Sequence, residues 1–404
     1  MRKKNAAIIF IFITVLIDVI GIGIVIPIVP ALIKDLTGGT TSQASQYALW
    51  LVLLYSVMQF LFSPIIGGLS DQYGRRKILL ITLLGFAADS LFQALAPTIG
   101  WLFLGRTISG ILGASFSTAN AYIADISPAE KRSQNFGMLG AAFGLGFIIG
   151  PSIGGILGSY GPRVPFYASA ILSLINWIYG YFVLPESLAP ENRRKFDFKR
   201  ANPLGSLKNL KRYPMVLSLV ASLFLVYIAS YAPQATWSFF TIEKFGWTEM
   251  QIGLSLGFVG LMIAIVQGGL IRIIIPKIGQ TKALFLGLTI NILGQAAFAF
   301  ASEGWMMYAI MVPFALSGLT NPAFQGLISN EVQANEQGEL QGALTSVVAL
   351  ASIIGQPLML WMFGKFTAPN APVYFPGAPF MTGSILCIIS LVITYKLISR
   401  KKSV

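Results

Sequence analysis

Histidine is absent from this chain of 404 residues, and cysteine occurs once, at Cys387. No internal disulfide can form, and the common zinc and thiolate chemistries lack their ligands. Paired carboxylates at ligand spacing are also missing. A nucleophile with its base, or a metal cluster, is therefore not on offer: the sequence is expected to be no enzyme and to need no metal and no cofactor. Charge is scarce as well, at 11% of residues, against roughly 25% in a soluble domain. What is there instead is apolar: 55% hydrophobic residues and a mean hydropathy of +0.73.

The apolar residues come in long unbroken runs. A helix needs about 20 such residues to cross a hydrocarbon core of ~30 Å, whereas a barrel strand shows roughly 10 of alternating polarity. The expectation is an all-α polytopic membrane protein with about twelve spans. They fall near residues 6–33, 46–68, 78–97, 100–124, 134–159 and 164–184, then near 214–240, 250–275, 281–301, 304–329, 339–363 and 378–398. The basic start Met1-Arg-Lys-Lys4 resembles a secretory signal, but the run that follows is too long for one and reads as a retained first helix.

The formal net charge of +13 could suggest nucleic acid, yet the placement of the basic residues argues for topology. With both termini in the cytoplasm, all but five of the 28 Lys and Arg fall on cytoplasmic segments. Lys34, Arg163, Lys244 and Lys365 lie outside, and Arg106 lies within a span. The partner is thus a lipid bilayer, not a nucleic acid.

One short charged turn organises the rest, Gly67-Gly-Leu-Ser-Asp-Gln-Tyr-Gly-Arg-Arg-Lys77. A degenerate copy follows at 268–284, with Gly74 and Lys77 answered 205 residues later by Gly279 and Lys282. Ile149-Gly150 is likewise answered by Ile354-Gly355, and the acid-bounded loop 125–130 by 331–336. The chain divides into two pseudo-symmetric six-helix bundles, 1–184 and 214–404, joined by a Pro, Arg and Lys-rich cytoplasmic linker, 185–213. Such repeats place a binding site at the bilayer midplane, between halves that rock.

Asp18, Asp89 and Arg106 are charges inside spans, each costing ~2.5 to 3.5 kcal/mol if it met lipid. They must face protein or a wet cavity. Two readings stand: an internal ion pair that fixes packing, or a proton-coupling switch. In a chain without histidine a carboxylate is the natural proton carrier, since buried carboxyls can titrate near neutral pH. Helical spacing aligns Arg106, Gly110, Gly113, Ser117 and Asn120 on one face, Gly85, Asp89 and Gln93 on another, and Tyr55, Gln59 and Ser63 on a third.

The second half aligns Tyr227, Tyr231, Gln234 and Ser238, then Gly287, Asn291 and Gln295, then Ser317, Asn321 and Gln325. Gln59, Asn120, Tyr231, Gln234, Asn291, Gln295, Asn321 and Gln325 are the substrate-binding candidates. Uncharged polar groups among aromatics suit an amphipathic small molecule. The same amides equally serve as hydrogen-bonding glue between helices.

Three motifs carry a resemblance to a known family. The turn at Gly67, Leu69, Asp71, Gly74, Arg75, Arg76 and Lys77, the stretch Arg106-Thr-Ile-Ser-Gly110, and Gly146-Phe-Ile-Ile-Gly-Pro-Ser-Ile-Gly-Gly155 resemble signatures of the major facilitator superfamily. The last resembles the motif of its antiporters, and most of the chain is similar to the drug:proton antiporters of the tetracycline-efflux type. The resemblance implies a working monomer in a bacterial inner membrane, exporting a small amphipathic drug-like molecule in exchange for protons by alternating access, with the proton gradient as energy source. An exporter of an endogenous metabolite or siderophore, or an uncoupled facilitator, is the alternative. Gly67, Asp71, Gly74, Arg75 and Arg76 are then gating residues on the cytoplasmic side, and Gly146, Gly150, Pro151 and Gly154 on the external side. Two positions depart from the tetracycline exporters: Asn291 stands where they commonly carry an acid, and Ile263 where some carry histidine. Deep charge is thereby confined to the first half.

Overall fold

The computed structural model describes residues 2–113, 115–126, 132–193, 195, 214–332 and 337–402. All regular structure among them is helical. We number the spans in chain order. α1 runs Arg2–Val25, passes a 3-10 turn at Ile26–Ile28 and continues as Val29–Thr37. α2 is Thr41–Tyr73, α3 Arg75–Leu95, α5 Arg132–Gly158 and α6 Val164–Val183, with α4 in two pieces, Ile99–Leu112 and Ser115–Ile126. α7 is Pro214–Phe245, α9 Gln280–Phe300, α11 Gln337–Thr367 and α12 Ala378–Lys402. α8 joins Glu249–Ile265 to Ile271–Ile278 through a π turn, and α10 joins Gly304–Phe314 to Thr320–Ser329 through a 3-10 turn.

Among the described residues, ten helices are long and apolar enough to cross a membrane. α4 and α10 fall short as single helices because each is interrupted, at Gly113 and across Ala315–Leu319. Gly318 follows Gly113 by the same 205 residues, so both fourth helices break at one position. The expected spans are found. Several run longer than their apolar cores, as α2 does by about a turn at each end, because polar end residues can continue a helix once its last backbone groups are solvated. The loop repeat at 127–130 and 333–336 and most of the expected linker, at 194 and 196–213, lie outside the described residues.

Two compact units form. The first holds residues 1–39, 54–202 and 248–260; the second holds 40–53, 203–247 and 261–404. The start of α2 therefore packs with the second unit and the start of α8 with the first. In the first unit a core of Phe10, Ile11, Val15, Leu79, Tyr122 and Ile123 ties α1, α3 and α4. In the second, Leu219, Leu223, Leu284, Leu288, Phe324 and Leu344 tie α7, α9, α10 and α11.

Inside a bilayer lipid is as apolar as leucine, so packing and hydrogen bonds must hold the helices. Asn176 donates to the Thr14 carbonyl at 2.9 Å, and Ser169 to the Gly21 carbonyl at 3.0 Å. Ser222 meets Ser390 and Thr394, each at 2.7 Å. Close approach does the rest. On α5, Gly146, Gly150 and Gly154 press against α1: a Cβ on Gly150 would lie 2.8 Å from Gly23 Cα and from the Ile20 carbonyl oxygen, and one on Gly154 would strike the Ile24 backbone. A second edge of α5 meets α8, where Gly155 faces Gly253, Ser152 faces Gly257 and Ile148 faces Gly260.

Candidate functional site

α3 starts because Gly74, at φ +100°, turns the chain where a side chain would be strained. Its first backbone N–H groups are met by a carboxylate from elsewhere: Glu186, just past α6, accepts from the amides of Arg75 at 2.9 Å and Arg76 at 3.5 Å. A negative group suits a helix N-terminus. The buried Arg75 side chain joins Asp71 and Ser70 and reaches Asp125 at 3.2 Å. Arg76 donates to the Tyr181 carbonyl at 2.7 Å. Asp71, Gly74, Arg75 and Arg76 thus belong to one bonded cluster, whereas a Cβ on Gly67 would meet nothing within 4 Å. Glu186 falls in the expected linker, where nothing in the sequence marks it as a cap.

The second unit keeps the cluster's shape without its charge. Gly279, at φ +80°, precedes α9, and Asn330 donates to Gln280 at 3.3 Å where the first unit pairs Asp125 with Arg75. The structural register thus makes Asn330, rather than Glu331, the counterpart of Asp125.

Further along α3, about two turns from its end, Asp89 is 3% exposed. Its Oδ2 accepts from Gln93 Nε2 at 2.6 Å, and Gln93 Oε1 accepts from Arg106 Nη2 at 3.0 Å. The amide is a bridge, so carboxylate and guanidinium are linked through it rather than by a direct ion pair within 4.0 Å. Asp89 Oδ1 is buried and makes no hydrogen bond of ordinary geometry, and the Ser109 hydroxyl stands beside the carboxyl. Gly105 lies against it: a Cβ there would sit 2.9 Å from Oδ1.

Tyr55 on α2 stands within electrostatic range of Asp18, Asp89 and Arg106, and the buried Asp18 is 5% exposed. Gln59 donates to the Tyr55 hydroxyl and to the Gly113 carbonyl, both at 3.1 Å. The Gly113 carbonyl is available because α4 breaks there. The structure therefore brings Asp18, Asp89, Arg106 and Gln59 together around Tyr55, and adds Gln93 and Tyr55 as members that helical spacing aligned without singling out. The side chain of Asn120 lies outside the described residues.

In the second unit, Tyr227 donates to Asn321 Oδ1 at 3.1 Å and Gln325 to the same oxygen at 3.4 Å. Gln234 reaches Ser230 at 3.5 Å, and Tyr231 packs beside Gly355. Gln234, Asn321 and Gln325 are exposed. Asn291 and Gln295 are different. Gln295 donates to Asn291 Oδ1 at 2.7 Å, is 0% exposed and lies against Gly383 of α12. These two sit among packed helices rather than on an open surface.

Among the described residues no group of three or more Cys, Asp or Glu could hold a metal ion.

The family profile described as Major Facilitator Superfamily matches residues 11–356. A tetracycline resistance protein, class C, of Escherichia coli is 36% identical over 96% of this chain and 96% of its own length. The class B protein of the same organism is 32% identical over 94% of each. Among solved structures, the human organic anion transporter TETRAN has a TM-score of 0.71 at 21% identity, covering 97% of this chain and 99% of its own. The xylose transporter of E. coli has a TM-score of 0.73 at 14% identity over 98% of both chains.

Proposed function

The chain belongs to the Major Facilitator Superfamily, and from that membership we propose that it exports a small amphipathic molecule of the tetracycline kind in exchange for protons. The observation that carries the coupling is the chain Asp89–Gln93–Arg106 inside two apolar helices, buried at Asp89 and Gln93 and half-buried at Arg106. A carboxylate held in such a place must either be neutralised or be paired, and a guanidinium one amide away makes its charge state depend on what else enters the site. Protons then enter as substrate leaves. Alternating access would expose the site to one side of the membrane at a time, the cluster around Arg75 securing one state and the glycine contacts of α5 the other.

The substrate class is supported by the tetracycline resistance proteins among the relatives. Tyr227, Tyr231, Gln234, Asn321 and Gln325 offer hydrogen bonds and aromatic faces without charge, which fits a ring-bearing ligand. The absence of deep charge among the described residues of the second unit equally favours a neutral endogenous metabolite, and that is the second reading. The reading is transport alone, by a monomer in a bacterial inner membrane with both termini in the cytoplasm, without a catalytic step or cofactor.

The test is proton release on adding substrate to everted vesicles acidified inside, with tetracycline, cationic dyes and neutral drugs as the panel. Asp89→Asn and Asp18→Asn should each reduce the response at least about tenfold, the loss expected when the carrying group cannot ionise. A compound that moves equally well in wild type and both variants, with no proton movement, would falsify the coupling.

A further inference from the structure

Resting on the reading of Asp89 as proton carrier, we propose that Gln93 and Gly105 make its carboxyl one-sided, so that Oδ1 is the atom that takes up and releases the proton. The bridge fixes the geometry. Arg106 has only donors, so the Gln93 oxygen must turn towards it and the Gln93 NH2 towards Asp89. Oδ2 is thereby committed to accepting from a neutral amide that has no acceptor left to offer it. A proton on Oδ2 would place two donors against each other.

Oδ1 is the complementary case: buried and without a hydrogen bond of ordinary geometry, with the Ser109 hydroxyl beside the carboxyl, a group that can accept from a carboxyl as well as donate to a carboxylate. The room around Oδ1 depends on Gly105, because any side chain there begins 2.9 Å from that atom. On protonation Oδ1 gains O–H and the carboxylate loses its charge, while both hydrogen bonds of Gln93 persist. On release the proton leaves the same atom and the carboxylate is restored. Gln93 thus holds acid and base at a fixed separation in either state and keeps them from closing into an ion pair that would quench the carrier.

The groups that bear on Asp89 are Arg106 and Ser109 from α4 and Tyr55 from α2. From α6, Ser169 meets Ser90, one residue along. None but Arg106 is cationic. Gln93 and Gly105 are positioning residues; neither is itself a proton carrier.

The experiment is an infrared titration of the purified full-length protein, following the carboxyl C=O band that Asp89→Asn removes. It needs no substrate, so it can succeed even where the transport reading fails. Gln93→Leu should shift the half-titration point by at least about one pH unit, the tenfold change expected for losing a hydrogen bond to a charged group. Gly105→Ala should shift or abolish it with Gln93 intact. Gly85→Ala is the packing control: one turn before Asp89, its methyl would meet Leu112 between the same two helices rather than the carboxyl, and should leave the band in place. An unmoved band in Gln93→Leu, an equal shift in Gly85→Ala, or no Asp89-dependent band from about pH 4 to 9 would each overturn the proposal.

Discussion

A single carboxylate sets the two ends of α3 apart in purpose. At its start Glu186 accepts from four backbone amides, those of Arg75, Arg76, Ser187 and Leu188, and lies 3.9 Å from Arg193. This is a helix cap supplied from a distant stretch. Replacing it should destabilise α3 by ~1 kcal/mol for Glu186→Ala. Glu186→Gln keeps acceptors but loses the charge at the helix end, worth ~0.3 to 1 kcal/mol. Thermal unfolding in detergent should rank wild type above Gln above Ala, and identical midpoints would remove the cap from the account. Asp89 and Arg106 were legible in the sequence because charge in an apolar run always needs a reason. Gln93 was not, because an amide four residues from an aspartate on a helix is ordinary, and only the position of Arg106 on the next helix makes it a bridge.

Helix α5 shows what can and cannot be read from a pattern. The repeat of glycine every four residues announces close approach, and α1 is the helix approached. The other edge, against Gly253, Gly257 and Gly260 of α8, is written in a second glycine pattern that has no meaning until its partner is known. Gly150→Ala should cost about 1 to 3 kcal/mol, since the methyl has only backbone to displace. Gly144→Ala on the same helix meets nothing within 4 Å and should be neutral or gain up to ~1 kcal/mol of helix propensity. Yield and melting temperature of the two variants test this directly; equal behaviour would mean the α1–α5 contact is not tight. The basic residues expected on the external side find an explanation here too. Arg163 donates to the Ala94 carbonyl at 3.1 Å and Lys244 to the Ala299 carbonyl at 3.2 Å. These carbonyls are 205 residues apart, so α3 and α9 are both closed at the C-terminal end by a cation. Two of the four exceptions to the charge bias are therefore helix caps.

For the molecule as a whole, the two repeats share a backbone and differ in chemistry. At the common offset Asp89, Arg106 and Ser109 correspond to Gly294, Met311 and Phe314, and Phe314 packs against Gly294. The repeat was legible from its turns and glycines, but its divergence at the site was not, because Asn291 and Gln295 reproduce the i, i+4 contact of Asp89 and Gln93 one turn earlier without a guanidinium. Asn291→Asp would therefore rebuild a carboxylate with no cation to meet it. It should lower stability by ~3 kcal/mol or more when ionised and release no second proton on substrate addition. A measured doubling of protons per substrate would show instead that the second unit can host coupling. The three residues 96–98 that join α3 to α4 carry a consequence for biosynthesis. So short a connection would let the two charged spans enter the membrane as one hairpin, with Gln93 able to link Asp89 to Arg106 while the rest of the chain is still on the ribosome. Two residues that would each resist insertion alone thus arrive already linked through an amide.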